Sequence, residues 1–303
     1  MSQSLIARAT IRAGAESLAD PAPALLAAAE RLAASVRAGG HGRRRAGPGP
    51  DFWQYRAAEA GDAARSIDWR RSARADQDYV RDREWVQVQT VQVWADGGLS
   101  MRYHSAPRLP EKAHRAAVLA LALAILLEQG GERVGTLDPD LPPRVGRAQV
   151  ERLAGAFARP APPDAEFGVP RSGTLVPGGW AVLLSDFLGP LDPLAALIEE
   201  AAGKRMSGVL MQVLDPAEET FPFTGRTLFR SIGGGLSHEA SEPASLGPRY
   251  RERLAERRDR LQALARAAGW TVLTHRTDAA PAPALWALGG VVGRRAHHWG
   301  GGA

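Results

Sequence analysis

Three points in the sequence set a carboxylate or hydroxyl directly after an apolar run. Asp96 follows the run ending at Ala95 and is joined four residues later by Ser100. Ser185 and Asp186 follow Trp180–Leu184, and Asp215 follows Val209–Leu214. Carboxylates and a hydroxyl converging at one edge could hold a hard cation such as magnesium, which takes oxygen ligands. Asp and Ser are equally favoured at helix N-caps and in turns, so capping competes as a reading of the same residues. At Asp215 the following Pro216 favours the turn. For Asp96 with Ser100 the two readings stay level.

Other reactive side chains lack the spacing that chemistry needs. His297 and His298 sit in a glycine-rich tail and read as solvated residues. His41, His104, His114, His238 and His275 are too scattered for a zinc motif. No glycine-rich loop with Lys-Ser/Thr follows an apolar run, and no Gly-x-Ser-x-Gly elbow occurs. The chain has no cysteine, which excludes disulfides and thiolate metal sites.

The elements that must position Asp96, Asp186 and Asp215 alternate between strand and helix. Strands are expected at Val91–Ala95, Arg133–Leu137, Trp180–Leu184, Val209–Leu214 and Trp270–Thr274. Helices are expected at Pro110–Glu128, Arg147–Phe157, Leu191–Ala202, Leu246–Ala268 and Pro281–Leu288. This order implies an α/β fold with a doubly wound, mostly parallel sheet covered by helices on both faces. In such sheets ligands bind beyond the carboxyl ends of the strands, where the three acidic positions fall.

The expected organisation has four parts: a loosely ordered leader over residues 1–20, an N-terminal extension over 21–85, the α/β domain over 86–290, and a flexible tail over 291–303. The extension holds a helix at Pro23–Arg37, an arginine-rich Gly/Pro segment from His41 to Pro50, and irregular or β segments. The domain carries a Pro/Gly-rich connection over Ala158–Gly179 and an insertion over 215–248, with a short hairpin strand within Arg226–Ile232. Connections of that length in compact domains usually bind something.

Composition narrows the function classes. Apolar residues make up 45% of the 303 and charged residues 23%, a globular balance. The net charge of +5 is carried almost wholly by arginine, since Lys112 and Lys204 are the only lysines. The arginines are spread among 33 carboxylates without a nucleic-acid motif, so nucleic acid is an unlikely partner. If it were one, Arg43–Arg45 and the arginines of 251–260 would be the contacts. The longest apolar run, Ala116–Leu127, is far short of the roughly 20 residues of a membrane span. With no secretory signal expected either, the reading is a cytoplasmic chain without a membrane span.

The segment from Gly61 to Arg70, with Gly61, Asp62, Arg65, Asp68, Trp69 and Arg70, resembles the signature of the bacterial family catalogued as domain of unknown function 58. The resemblance continues in order through Gly47–Phe52, Tyr55–Arg56, Ser72–Arg74, Val80–Glu84, Asp96–Met101, Lys112, Gly135, Ser185–Phe187 and Val213–Glu218. It implies a von Willebrand factor A-like fold and a partnership with MoxR-type AAA+ ATPases acting on client proteins. It also implies a metal site (MIDAS) of the form Asp-x-Ser-x-Ser, with a distant threonine and a later aspartate. Asp96, Ser100 and Asp186 match that pattern, whereas Gly98 replaces the first serine and no threonine occurs in Leu141–Arg147. The site is therefore degenerate, empty or holding magnesium weakly. In the signature itself, Asp62 and Asp68 stand near Arg65, Arg70, Arg71 and Arg74, which invites carboxylate–guanidinium pairs. Asp68 is expected to be buried and paired, with Trp69 as a packing anchor or a face for an arginine.

The functional expectation is a non-enzymatic interaction or adaptor protein working with a MoxR-type ATPase and an unknown client. The alternatives are a metal-dependent hydrolase using Asp96 and Asp186, and a nucleic-acid-binding protein.

Overall fold

The computed structural model describes residues 20–40, 53–57, 69, 79–83, 88–159, 166–171, 174–230, 237–240 and 243–294. They fall into two compact units, one of Gly40–Val88 and one of the remainder. In chain order the elements are α1 (Ala22–Gly40), β1 (Trp53–Ala57), β2 (Tyr79–Arg83), β3 (Thr90–Ala95), α2 (Lys112–Gln129), β4 (Arg133–Gly135) and α3 (Arg147–Phe157). After these come β5 (Trp180–Ser185), α4 (Asp192–Gly203), β6 (Ser207–Leu214), α5 (Pro216–Thr220), β7 (Thr227–Arg230), β8 (Ser237–Ala240), α6 (Pro243–Ala267), β9 (Thr271–Arg276) and α7 (Pro281–Arg294). In the smaller unit, β1 and β2 form an antiparallel pair with Trp53 opposite Arg83.

The larger unit is a doubly wound α/β fold. Its sheet runs in the order β4-β3-β5-β6-β9, and every pairing is parallel. β3 lies between β4 and β5, with Val91 opposite Val134 and Val93 opposite Val182. All six residues of β5 are buried, as a central parallel strand requires, because helices cover both of its faces. Val182, Leu184, Val209, Met211 and Val213 share one apolar core with residues of α1, α2, α3 and α7. Ala181, Leu183 and Leu210 pack on the other face against α4 and α6. Gly208 in β6 lets the Trp270 indole lie against the backbone, where a Cβ would come within 2.1 Å of the ring.

One polar residue interrupts the apolar run of β3 without cost. Buried Gln92 donates from Nε2 to the carbonyls of Thr136 (3.0 Å) and Thr174 (2.9 Å) and accepts from the Val176 amide (2.9 Å). A buried amide so satisfied avoids the desolvation penalty of an unpaired one, and it ties the 174–176 segment to the sheet.

Two boundaries differ from expectation. The extension expected over 21–85 divides, because the apolar face of α1 (Leu25, Ala29, Leu32, Val36) enters the same core as α2. A run of alanines and leucines with no polar break left α2 buried from Ala116 to Ile125, and α1 supplies part of that cover. The closing helix expected at Pro281–Leu288 continues to Arg294, since Val292 packs in the core, so the tail begins later than residue 291. The insertion after β6 holds the capped helix α5 and the β7–β8 hairpin, in which Phe229 lies opposite His238.

Candidate functional site

All five parallel strands end at one edge, and three of those ends supply the site. β3 ends at Ala95, and Asp96 behind it is 2% exposed. Its Oδ1 accepts from the Gly98 amide at 2.7 Å and its Oδ2 from the Ser185 hydroxyl at 2.6 Å. The Gly168 amide donates to the same carboxyl. Gly168 has to be glycine here, since a Cβ would stand 2.0 Å from Asp96 Oδ1. Burial pushes the Asp96 carboxyl above its ordinary range; the bonds from Ser185 and Gly98 oppose that rise, and nearby Asp186 adds to it.

The turn after β5 is pinned at nearly every polar group. Ser185 Oγ accepts from the Phe187 amide at 3.0 Å, and Asp186 Oδ1 from the Leu188 amide at 3.0 Å. The Asp186 carbonyl accepts from Gln212 Nε2 at 3.0 Å. Phe187 takes the left-handed conformation (φ 51°), and its carbonyl accepts from Arg257 Nε on α6 at 2.8 Å. Its buried ring and these bonds hold a conformation that few residues other than glycine and asparagine adopt.

A lysine fills the centre. Lys112, the first residue of α2, is 1% exposed, and its Nζ lies 2.8 Å from Asp186 Oδ2 and 2.5 Å from Glu218 Oε1. The Tyr103 ring stands 5.9 Å from the ammonium. Burial on its own would discharge Lys112, yet the two carboxylates outweigh it and hold the ammonium above its usual pKa. Glu218 is placed by α5, where Asp215 forms a capping box: Asp215 Oδ1 accepts from the Ala217 amide at 2.8 Å, and Glu218 Oε2 from the Asp215 amide at 2.9 Å. The Ser105 amide donates to the other Asp215 oxygen at 2.9 Å. Asp215 is thus a cap, as the Asp-Pro pair suggests.

A divalent cation does not fit this arrangement. A magnesium ion at about 2.1 Å from Asp186 Oδ2 would crowd the ammonium already bonded to that oxygen, bringing like charges together. Both Asp96 oxygens are engaged as well. Ser100 is brought to the same edge on the turn Leu99–Arg102, but its buried Oγ bonds neither carboxylate and has no partner, leaving one free hydroxyl as a ligand.

Of the residues expected at the site, Asp96 and Asp186 are close enough to influence each other's charge, and Ser185, next to Asp186 in the chain, bonds Asp96. Lys112 and Glu218, which do most to set the charge there, stand in the family resemblance without a role: Glu218 is legible locally as the capping-box partner of Asp215, whereas nothing near Lys112 marks it as a partner of either acid. His275 is buried, with its ring nitrogen Nε2 3.2 Å from Arg115 Nη1. Of the signature, Trp69 is 60% exposed, while Gly61, Asp62, Arg65, Asp68 and Arg70 lie outside the described residues, as do Arg43–Arg45, His297 and His298.

Relatives were found by sequence and by structure. The chain is 26% identical over 245 residues to the uncharacterized protein Rv1480 of Mycobacterium tuberculosis H37Rv, covering 77% of this chain and 76% of that one. It is 31% identical over 103 residues to the uncharacterized protein MAV169 of Mycobacterium avium, covering 33% of this chain and 58% of that one. Two solved structures align at 13% identity with TM-scores of 0.39: the conserved hypothetical protein BatB of Bacteroides thetaiotaomicron and an aerotolerance-related membrane protein of Bacteroides fragilis. Each alignment covers 69% of this chain, with 99% and 100% of the respective structures, a likeness too low for any inference to rest on it. The sequence model of the family described as "Protein of unknown function DUF58" matches residues 54–260, more than half of the chain, which therefore belongs to that family.

Proposed function

We propose that this protein is a non-enzymatic adaptor of the α/β, von Willebrand factor A-like type, working in the cytoplasm with a MoxR-type AAA+ ATPase on a client protein. The observation that carries the reading is the Lys112 ammonium between Asp186 and Glu218. A hydrolase built on Asp96 and Asp186 needs those carboxylates free to hold a metal or move a proton. Here the first is bonded by three donors and the second is neutralised from within the chain. The acids at this edge are thus committed to partners within the chain, which suits a structural or binding role more than catalysis. No helix among the described residues is long and apolar enough to cross a membrane, and an adaptor free in solution is consistent with that.

The test is co-expression with the MoxR-type ATPase of the same organism, with analytical ultracentrifugation and ATP turnover as readouts. A stable complex, or turnover altered by the chain, is the expected result. Absence of both, together with magnesium-dependent hydrolysis of ester or phosphoester probes that Asp186→Asn abolishes, would overturn the adaptor in favour of the hydrolase.

A further inference from the structure

We infer that a cavity beside α6 is a docking site for a carboxylate of an acidic, partly apolar segment of a partner protein, an inference that rests on the adaptor reading above. The cavity measures about 410 Å³ and is lined by Leu188, Tyr250, Arg253, Leu254, Arg257 and Arg260, with Glu256 the one acid at its edge. Positions 250, 253, 257 and 260 recur at helical spacing, so one flank of α6 gathers three guanidinium groups over the turn that follows β5. The arginines expected on sequence grounds within 251–260 are therefore not all alike; these three share a concavity.

Their bonding sets them apart. Arg258, on the same helix, is spent on Glu219 and on Gln212 Oε1 (3.2 Å). Arg253 and Arg260 make no ion pair or hydrogen bond among the described residues, and Glu256 neutralises none of the three. Arg257 commits Nε to the Phe187 carbonyl, and its buried Nη2 has no partner. Burial, with the charge of Arg260 next, lowers the Arg257 pKa, the response of a guanidinium short of negative charge. Three cationic groups against one carboxylate, on a chain of net charge +5, make an anion the complementary occupant.

The rest of the lining selects among anions. Leu188, Leu254 and the Tyr250 ring, itself packed on Phe221 at 4.8 Å, give the cavity an apolar wall. A glutamate brings a carboxylate on an aliphatic stem with apolar neighbours, matching both parts. A bare phosphate uses only the arginines, and a nucleic acid needs a track of cations with stacking faces rather than one concavity. The Arg257–Phe187 bond joins this cavity to the turn that holds Asp186, so an occupant on Arg257 would bear on the backbone of that turn.

The probe is a fluorescein-labelled hexapeptide of alternating leucine and glutamate, with a glutamine version as control, read by fluorescence anisotropy. The glutamate peptide should bind saturably and the glutamine peptide should not. The double variant Arg253→Gln with Arg260→Gln should weaken binding about tenfold or more. Both residues lie on α6 without partners, so the melting temperature should hold; Arg257→Gln gives an independent loss. Equal binding of both peptides, unchanged affinity in the double variant, or displacement of the peptide by inorganic phosphate or a thymidine oligonucleotide at lower concentration than unlabelled peptide would overturn the site. The ATPase assay separates the two readings. If the chain binds the ATPase while the peptide ignores the arginines, the cavity fails and the adaptor stands. If the peptide follows the arginines but no ATPase associates, the cavity stands and the adaptor partnership fails.

Discussion

The ammonium of Lys112 lies 2.8 Å from the carboxylate of Asp186, and both side chains are 1% exposed. One residue begins α2 and the other directly follows β5, so the pair joins a helix on one face of the sheet to the edge where ligands of such folds bind.

Removing the cation should strand two acids. Lys112→Ala is expected to cost about 3–5 kcal/mol, the usual penalty for leaving a buried charge without its partner. The space it leaves faces Asp186 and Glu218, so millimolar magnesium should raise the melting temperature of the variant and leave the wild-type protein unmoved. Thermal unfolding with magnesium and with a chelator checks both halves. A wild-type chain stabilised by magnesium as much as the variant would contradict the role given to Lys112.

Asp96 should reveal itself through pH. Its folded pKa is raised by burial, so its favourable contribution is present in full below the unfolded value and is lost as pH rises through the folded one. Asp96→Asn removes that loss. The difference in melting temperature, variant minus wild type, should therefore grow from acid toward neutral pH. Parallel curves would mean that the carboxyl titrates as it does in the unfolded chain.

His275 has the opposite sign. Burial first, and Arg115 next, depress its pKa from 6.5 to about 4, and Arg115 Nη1 lies 3.2 Å from the ring nitrogen Nε2. The stability it contributes is complete above pH 6.5 and disappears as pH falls through 4, an amount of about 3 kcal/mol. His275→Gln keeps an acceptor for Arg115 and should flatten the wild-type decline between those two pH values in a urea titration. A variant that declines as steeply as wild type places the acid sensitivity elsewhere.

Two glycines give a matched pair. Gly168→Ala drives a methyl group into Asp96 Oδ1 and should cost about 1–3 kcal/mol, as overpacking does. Gly155→Ala, inside α3 with nothing within 4 Å of the new Cβ, should stabilise by up to about 1 kcal/mol through helix propensity. Chemical denaturation of both variants tests the contrast; equal effects would show that the 166–171 segment is not held against Asp96.

Much of this protein is determined by local pattern. Apolar runs of strand length at β3, β5 and β6, separated by helical periodicity, lead to a parallel sheet, because such runs must be covered on both faces. The Asp-Pro pair at residue 215 marks a cap, since Asp is favoured at an N-cap and proline at the first helical position. The placing of Asp96 and Asp186 at one edge also follows, because parallel strands end on the same side. Tertiary structure decided what those residues do there. Lys112 and Asp186 are 74 positions apart, and Lys112 and Glu218 are 106 apart. No periodicity relates them, so whether the edge holds an ion or its own ammonium depended on where α2 and α5 dock. The same is true of α1, whose amphipathic face is evident from its own residues but whose membership of the α2 core is not. Side-chain type and spacing act over one or two turns; charge neutralisation in a buried site depends on distances that exist only once the chain has folded.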